Sequence, residues 1–342
     1  MKAMVLHGVC DLRHTPEPLR LEELPDPVPQ EDELLLKVDA CGVCHTELDE
    51  IEGRTPPPRF PVVPGHQVVG RVEASGRRNR RFEKGERVGV AWIFSACGRC
   101  SFCLNGLENL CPDFKATGRD VNGGYAEYMT VPSMFAYKIP DTFTDAEAAP
   151  LLCAGAIGFR SLRLTGLADG QRLGLVGFGA SAHLVLKMAR HCFPRSEIFV
   201  FSRSNQERAF ARELGAAWAG GIDDRPPDRL NSIIDTTPAW MPLVEAMKNL
   251  EPGGRLVINA IRKEETDRDH LRKLDYPHHL WLEKEIKSVA NVTRSDVEEF
   301  LTLAATIPLK PEVQEFPLSK ANVALGELRA RKIRGGKVLL IR

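Results

Sequence analysis

Cys97, Cys100, Cys103 and Cys111 follow the spacing C-x2-C-x2-C-x7-C. Four thiolates so spaced can close a tetrahedron around one Zn2+ and leave no corner for a substrate. Such a site is structural, pinning a lobe that lacks enough core of its own. Disulfides are disfavoured, because the N-terminus carries no secretory signal and nine cysteines then read as metal ligands or free thiols. An iron–sulfur cluster shares the opening spacing, and Pro112 follows Cys111. The last gap is nevertheless seven residues rather than three, with no second cluster motif.

Three further residues offer metal-binding atoms: Cys44 in CGVCHTEL, His66 in PGHQVVG and Cys153 in PLLCAGAIGF. Two thiolates and an imidazole would leave the fourth zinc position open, as catalytic zinc requires. Taken singly, each reads more simply as a small buried thiol or a satisfied core histidine, and spacing alone does not bring them together. A third chemistry is carried by Gly177-Phe178-Gly179-Ala180-Ser181-Ala182, a G-x-G-x-x-A turn between an apolar run and a helix-like segment. Its glycines permit a tight turn and close approach of a pyrophosphate, which would sit on the backbone N–H groups of Gly179, Ala180 and Ser181 at the helix start. At the end of the next apolar run, where a carboxylate would bind the ribose 2′-hydroxyl of NAD, stand Ser202 and Arg203, and no carboxylate is present. A hydroxyl and a guanidinium suit a 2′-phosphate, so NADP(H) is favoured over NAD(H).

These groups must be held by two kinds of structure. The first half is Pro- and Gly-rich with short β-branched runs (LLLKV, VVGRV, RVGVAW, AEYMTV), the pattern of strands joined by tight turns. From about Arg172 strand and helix alternate: RLGLVGF, a helix over Ala180–His191, EIFVFS, the helix NQERAFARELG, NSIIDTT, the helix PLVEAMKNL, an EPGG turn, RLVINA and a late strand in KSVANV. This alternation predicts a parallel sheet with right-handed crossovers. VEEFLTLAATI and KANVALGELRARKI then read as helices and GKVLLI as a closing strand. The 342 residues suit two domains, and 43% hydrophobic with 27% charged residues suits sizeable cores. Lys+Arg and Asp+Glu are both 46, which gives no electrostatic reason to expect a nucleic acid or membrane partner. The basic run Arg77, Arg78, Arg80, Arg81 reads as a solvated turn. No stretch reaches the roughly 18 apolar residues of a membrane span, and the expected location is the cytoplasm.

GVCHTEL, PGHQVVGRV, CGRCSFCLNGLENLC, GGYAEY, APLLCAG and GFGASAHL occur in this order along essentially the whole chain. With these motifs the sequence resembles the zinc-dependent medium-chain alcohol dehydrogenases, near their propanol-preferring and cinnamyl-alcohol branch. The resemblance implies an α/β chain. Its GroES-like catalytic domain would comprise residues 1–155 and 294–342, with a Rossmann domain over 156–293 and the active site in the cleft. It implies two Zn2+ per chain, one on Cys44, His66 and Cys153 and one on the four-cysteine lobe. It also implies a small alcohol or aldehyde as substrate and a homodimer or homotetramer. Thr46 matches the hydroxyl that takes the substrate proton. His45 and Lys337 match residues near the cofactor pyrophosphate, and Trp92 matches a wall of the alcohol pocket. Four positions depart from the family pattern. Glu47 replaces the Asp that orients the zinc-bound His, Gln67 replaces a Glu, and Ile157 replaces a Thr near the nicotinamide. Asp49 stands where relatives carry a relay His, and is expected to end the proton relay. Zinc-free quinone or enoyl reductases of the same superfamily lack both cysteine sets; a non-catalytic scaffold or a zinc-module nucleic-acid binder fits the ligands and the charge less well.

Overall fold

The computed structural model describes residues 1–307, 309–330 and 335–341. The chain divides into two compact units, Met1–Ala156 with Asn291–Arg342, and Ile157–Ala290. The first unit runs through β1 (Lys2–Leu6), β2 (Leu19–Glu23), β3 (Glu33–Val43), α1 (His45–Ile51), β4 (Val68–Ser75), β5 (Arg87–Val90) and β6 (Ile93–Ser95). It continues through α2 (Ser101–Leu104), β7 (Lys115–Ala116), β8 (Tyr128–Pro132), β9 (Ala136–Lys138) and α3 (Asp145–Pro150). The second unit takes up α4 (Ala156–Thr165), β10 (Arg172–Val176), α5 (Ala180–Cys192), β11 (Glu197–Phe201), α6 (Asn205–Glu213) and β12 (Trp218–Gly220). It then forms β13 (Leu230–Asp235), α7 (Met241–Met247), β14 (Leu250–Ile258), α8 (Tyr276–His279) and β15 (Glu285–Ser288). The chain returns to the first unit in α9 (Arg294–Thr306), β16 (Val313–Pro317), α10 (Ala321–Arg329) and β17 (Gly336–Leu340). The helix expected over KANVALGELRARKI ends at Arg329; its residues 331–333 lie outside the described residues. Among the described residues no helix is long and apolar enough to cross a membrane.

The first unit is built on a sheet of order β16-β17-β3-β4-β5-β9, with β8 also on β3. Its centre is β3, whose last four residues, Ala40, Cys41, Gly42 and Val43, are all buried. The antiparallel register decides where chemistry can happen. Cys41 faces Val68, and the Gly42 N–H donates to the Gln67 carbonyl at 2.9 Å. The residue that follows β3, Cys44, and the residue that precedes β4 by two, His66, therefore leave the sheet side by side. Gly65 turns the chain there with φ +98°, and a Cβ on it would lie 2.3 Å from the Tyr125 ring. The GGYAEY segment packs against this turn: Gly124 and Tyr125 donate to the Gly65 and Pro64 carbonyls at 2.9 and 3.0 Å.

The second unit is a six-stranded sheet of order β12-β11-β10-β13-β14-β15, parallel in every pairing. β10 and β13 are neighbours although β11 and β12 intervene in sequence. The order thus reverses beside β10, the topological switch point where α/β sheets bind ligands. EPGG, expected as a turn, lies inside β14. Leu230 pairs with Leu250 and Ser232 with Arg255, so the four residues stand out from the ladder as an irregular bulge without ending the strand.

One contact ties the first unit's packing to its chemistry. Leu151–Gly155 forms a π-type turn carrying Cys153, directly after Pro150, which brings no backbone N–H to the ladder. Phe300 of α9 sits on Gly155: a Cβ there would lie 2.4 Å from its Cζ. Gly155→Ala is therefore expected to lower stability by about 1–3 kcal/mol and to loosen the turn presenting Cys153. Thermal unfolding together with retained metal content checks this.

Candidate active site

Cys44, His66 and Cys153 place one donor atom each within 4.8 Å of one another. His66 Nε2 lies 3.3 Å from Cys153 Sγ, and Thr46 Oγ1 lies 3.5 Å from Cys44 Sγ. Three donors of two thiols and one imidazole fit a zinc with one exchangeable position. Glu47 holds two of the three. Its Oε2 accepts the Cys44 N–H at 2.8 Å, capping the start of α1, and its Oε1 lies 2.6 Å from His66 Nδ1. The longer side chain therefore does reach the histidine, leaving Nε2 for a metal.

The site's charge follows from these contacts. Hydrogen bonding from the Cys153 thiol, with His66 beside it, holds the Cys44 thiol well below its usual pKa, although burial opposes this. The same bond, together with burial, pushes Cys153 well above its own. Burial disfavours charge on His66, yet the Glu47 carboxylate and the Cys44 thiolate outweigh it and raise the imidazole well above its usual value. Zn2+ binds thiolate sulfur and unprotonated imidazole nitrogen, so its binding displaces the protons that Cys153 and His66 are inclined to hold.

The remaining expected residues fall as follows. Thr46 is buried in the first turn of α1, and His45 is exposed beside it. Asp49 is buried with Arg54 Nε 2.5 Å from its Oδ1, and Arg54 also donates to Glu52 at 2.7 Å. Cys41 is fully buried in β3 outside the metal-binding group. Gln67 packs on Gly42, where a Cβ would lie 2.4 Å from its Oε1. Trp92 lies 5.3 Å from the Phe114 ring and also against Glu50. Sequence reasoning did not single out Glu50 or Arg54. Glu50 is 1% exposed, and one of its oxygens has no hydrogen-bond partner among the described residues. Burial, with Glu47 nearby, pushes its pKa well up. An acidic residue inside an α1 buried on nearly every side was the available signal.

The four-cysteine lobe is local. Cys97, Cys100, Cys103 and Cys111 bring their sulfurs within 4.8 Å of one another. Backbone N–H groups already point at the sulfurs: Cys97 N–H donates to Cys111 Sγ at 3.4 Å and Cys100 N–H to Cys97 Sγ at 3.4 Å. The Arg99 and Cys100 amides draw the Cys97 thiol down to about 6, while burial and Cys100 push Cys103 up to about 12.

In the second unit Gly177 turns with φ +78°, its N–H donating to the Phe201 carbonyl at 2.8 Å. A Cβ on Gly177 would collide with Thr236 at 2.7 Å, whereas one on Gly179 would meet open space ahead of α5. Ala180 and Ser181 form the first turn of that helix, and Asn259 donates to Ser181 Oγ at 3.3 Å. That open helix start suits a pyrophosphate. Two of the residues expected at the cofactor have partners within the chain. Ser202 is not a free hydroxyl: it is 2% exposed and donates to Glu207, so a carboxylate from α6 does reach the strand end that lacks one along the chain. The Lys337 side chain is 1% exposed, with its ammonium 2.6 Å from Glu327 and 2.7 Å from Gln314.

Comparison with known proteins agrees with both units. Residues 30–141 match the alcohol dehydrogenase GroES-like domain. A probable alcohol dehydrogenase of Mycobacterium tuberculosis is 44% identical over 320 residues, covering 92% of this chain and 90% of that protein. An alcohol dehydrogenase of Geobacillus stearothermophilus is 31% identical over 95% of this chain and 96% of its own length. Among solved structures, a cinnamyl alcohol dehydrogenase of Sorghum bicolor superposes with TM-score 0.84 at 25% identity, covering 99% of this chain and 96% of that one.

Because Glu47 orients His66, Glu47→Gln is expected to weaken zinc retention at this site about 10- to 100-fold, measured by competition with a chelator. Because Cys153 and His66 must give up protons, zinc affinity should also fall as pH is lowered from about 8 to about 6. Identity over nearly the full length of two curated relatives, with a GroES-like unit and a parallel-sheet unit, makes this chain a member of the zinc-dependent medium-chain alcohol dehydrogenase family.

Proposed function

We propose that this protein interconverts a primary alcohol and its aldehyde using a nicotinamide dinucleotide, with NADP(H) favoured over NAD(H). The observation that carries the reading is the convergence of Cys44, His66 and Cys153 beside the Thr46 hydroxyl. On this reading residues 1–155 and 294–342 form the catalytic domain and 156–293 the dinucleotide-binding domain. The enzyme acts as a homodimer or homotetramer in the cytoplasm, with two Zn2+ per chain.

When bound, zinc supplies a Lewis acid that lowers an alcohol's pKa or polarises a carbonyl, and the nicotinamide exchanges the hydride. The chain's own residues supply geometry and proton transfer. Cys44, His66 and Cys153 would hold the metal, with Glu47 fixing the His66 ring. The Thr46 hydroxyl accepts the proton leaving the alcohol as it passes its own proton on. Asp49, three residues on along α1, is the next acceptor, its buried carboxylate held by Arg54. The amides of Gly179, Ala180 and Ser181 receive the pyrophosphate, and His45, next to Cys44 in the chain, is a further candidate contact for the cofactor. Arg203, exposed beyond β11, meets the 2′-phosphate. The four-cysteine lobe would hold the second zinc and stiffen its loop.

Elemental analysis is expected to give about two zincs per chain. A panel of short-chain and aromatic alcohols and aldehydes against both cofactors should give turnover with higher kcat/KM for NADP(H). One zinc and no turnover would mark a scaffold, and no zinc a reductase. Burial raises the Asp49 pKa, while the Arg54 hydrogen bond lowers it. As a relay end, Asp49→Asn should slow alcohol oxidation most at low pH, and an unchanged pH profile would remove Asp49 from the relay.

A further inference from the structure

The end of β11 carries a charge arrangement that the linear sequence conceals. In a βαβ dinucleotide fold, the residue after the second strand meets the ribose 2′-position. Here that strand is β11, beside the Gly177 turn, and the residue is Ser202. The Ser202 hydroxyl carries one proton, and donates it to the Glu207 carboxylate. Its lone pair accepts the Ser204 N–H at 3.1 Å. Ser204 in turn caps α6, accepting the Glu207 N–H at 3.3 Å, so Glu207 is held at both its backbone and its side chain. The same segment carries two arginines. Arg208 donates to the Ser202 carbonyl at 2.6 Å and to Asn205. Arg203 is exposed, with no hydrogen bond or ion pair among the described residues.

We propose that Glu207 is a specificity-determining residue that restrains this chain's preference for 2′-phosphorylated cofactors. The inference rests on the cofactor reading above and deepens it. Arg203 and Arg208 attract a 2′-phosphate, which brings a charge of about −1.5 to −2. Glu207 opposes that charge, and also occupies the Ser202 proton that the phosphate would otherwise receive. The outcome is an enzyme that takes NADP(H) first yet still accepts NAD(H). Glu207→Gln removes the charge while its amide oxygen can still accept from Ser202. Glu207→Ala removes the charge and frees the Ser202 proton as well, so the larger change belongs to Glu207→Ala.

The test is calorimetric binding of adenosine 2′,5′-bisphosphate and of 5′-AMP to the full zinc-loaded chain at fixed ionic strength, so that catalysis does not enter the readout. Glu207→Gln is expected to tighten the bisphosphate about tenfold and leave 5′-AMP nearly unchanged, with Glu207→Ala tightening it further. Arg203→Ala should weaken the bisphosphate alone. Circular dichroism of each variant establishes that α6 is intact. If wild type binds both nucleotides but Glu207→Gln leaves bisphosphate affinity unchanged or lower, the role of Glu207 is overturned and the cofactor reading stands. If wild type binds neither, both are overturned.

Discussion

A carboxylate with no exposure at all, Glu47, joins the end of a strand to the histidine that follows a different turn. Burying such a charge costs several kcal/mol unless its oxygens are hydrogen-bonded and a cation stands nearby. Glu47 satisfies that condition only where it stands, with Cys44 N–H on one oxygen and His66 Nδ1 at the other. The same contacts start α1, fix the ring of His66 and set the spacing of two metal donors. Removing the carboxylate would leave an uncapped helix, a free ring and a thiol without its reference point.

The two cysteine-containing sites solve different physical problems. The lobe draws its four sulfurs from fifteen consecutive residues, Cys97 to Cys111, so a single loop can gather them, and its backbone amides already favour thiolate. The other site draws two of its three donors, His66 and Cys153, from positions 87 residues apart and depends on the sheet. The antiparallel register of β3 and β4 delivers Cys44 and His66 together, and the π-type turn packed under Phe300 delivers Cys153. Bringing such distant positions together costs loop-closure entropy, which the packing of the β core must offset.

The four-cysteine cluster and the G-x-G-x-x-A turn were legible because their chemistry is local and their spacing alone constrains it. The parallel sheet was equally legible from strand–helix alternation. Cys44, His66 and Cys153 were legible only through resemblance, since no periodicity predicts a register between residues 41 and 68. Glu207 was missed because its signal is spatial: a side chain in the first turn of α6 reaches back to a strand end that looks neutral in sequence. Lys337 shows the converse. A basic residue in a closing strand looks available until Glu327 and Gln314 enclose it. The EPGG segment kept its turn-like character but stayed within β14, because its neighbours on both sides remain paired to β13.

The proposed chemistry requires one zinc held by Cys44, His66 and Cys153 with a fourth position for an exchangeable oxygen. Anomalous diffraction at the zinc edge from crystals of the metal-loaded protein tests this directly. The predicted result is a peak about 2.3 Å from both sulfurs and about 2.0 Å from His66 Nε2, with a non-protein oxygen completing the tetrahedron. A peak only in the four-cysteine lobe, or a fourth protein ligand closing the site, would contradict it.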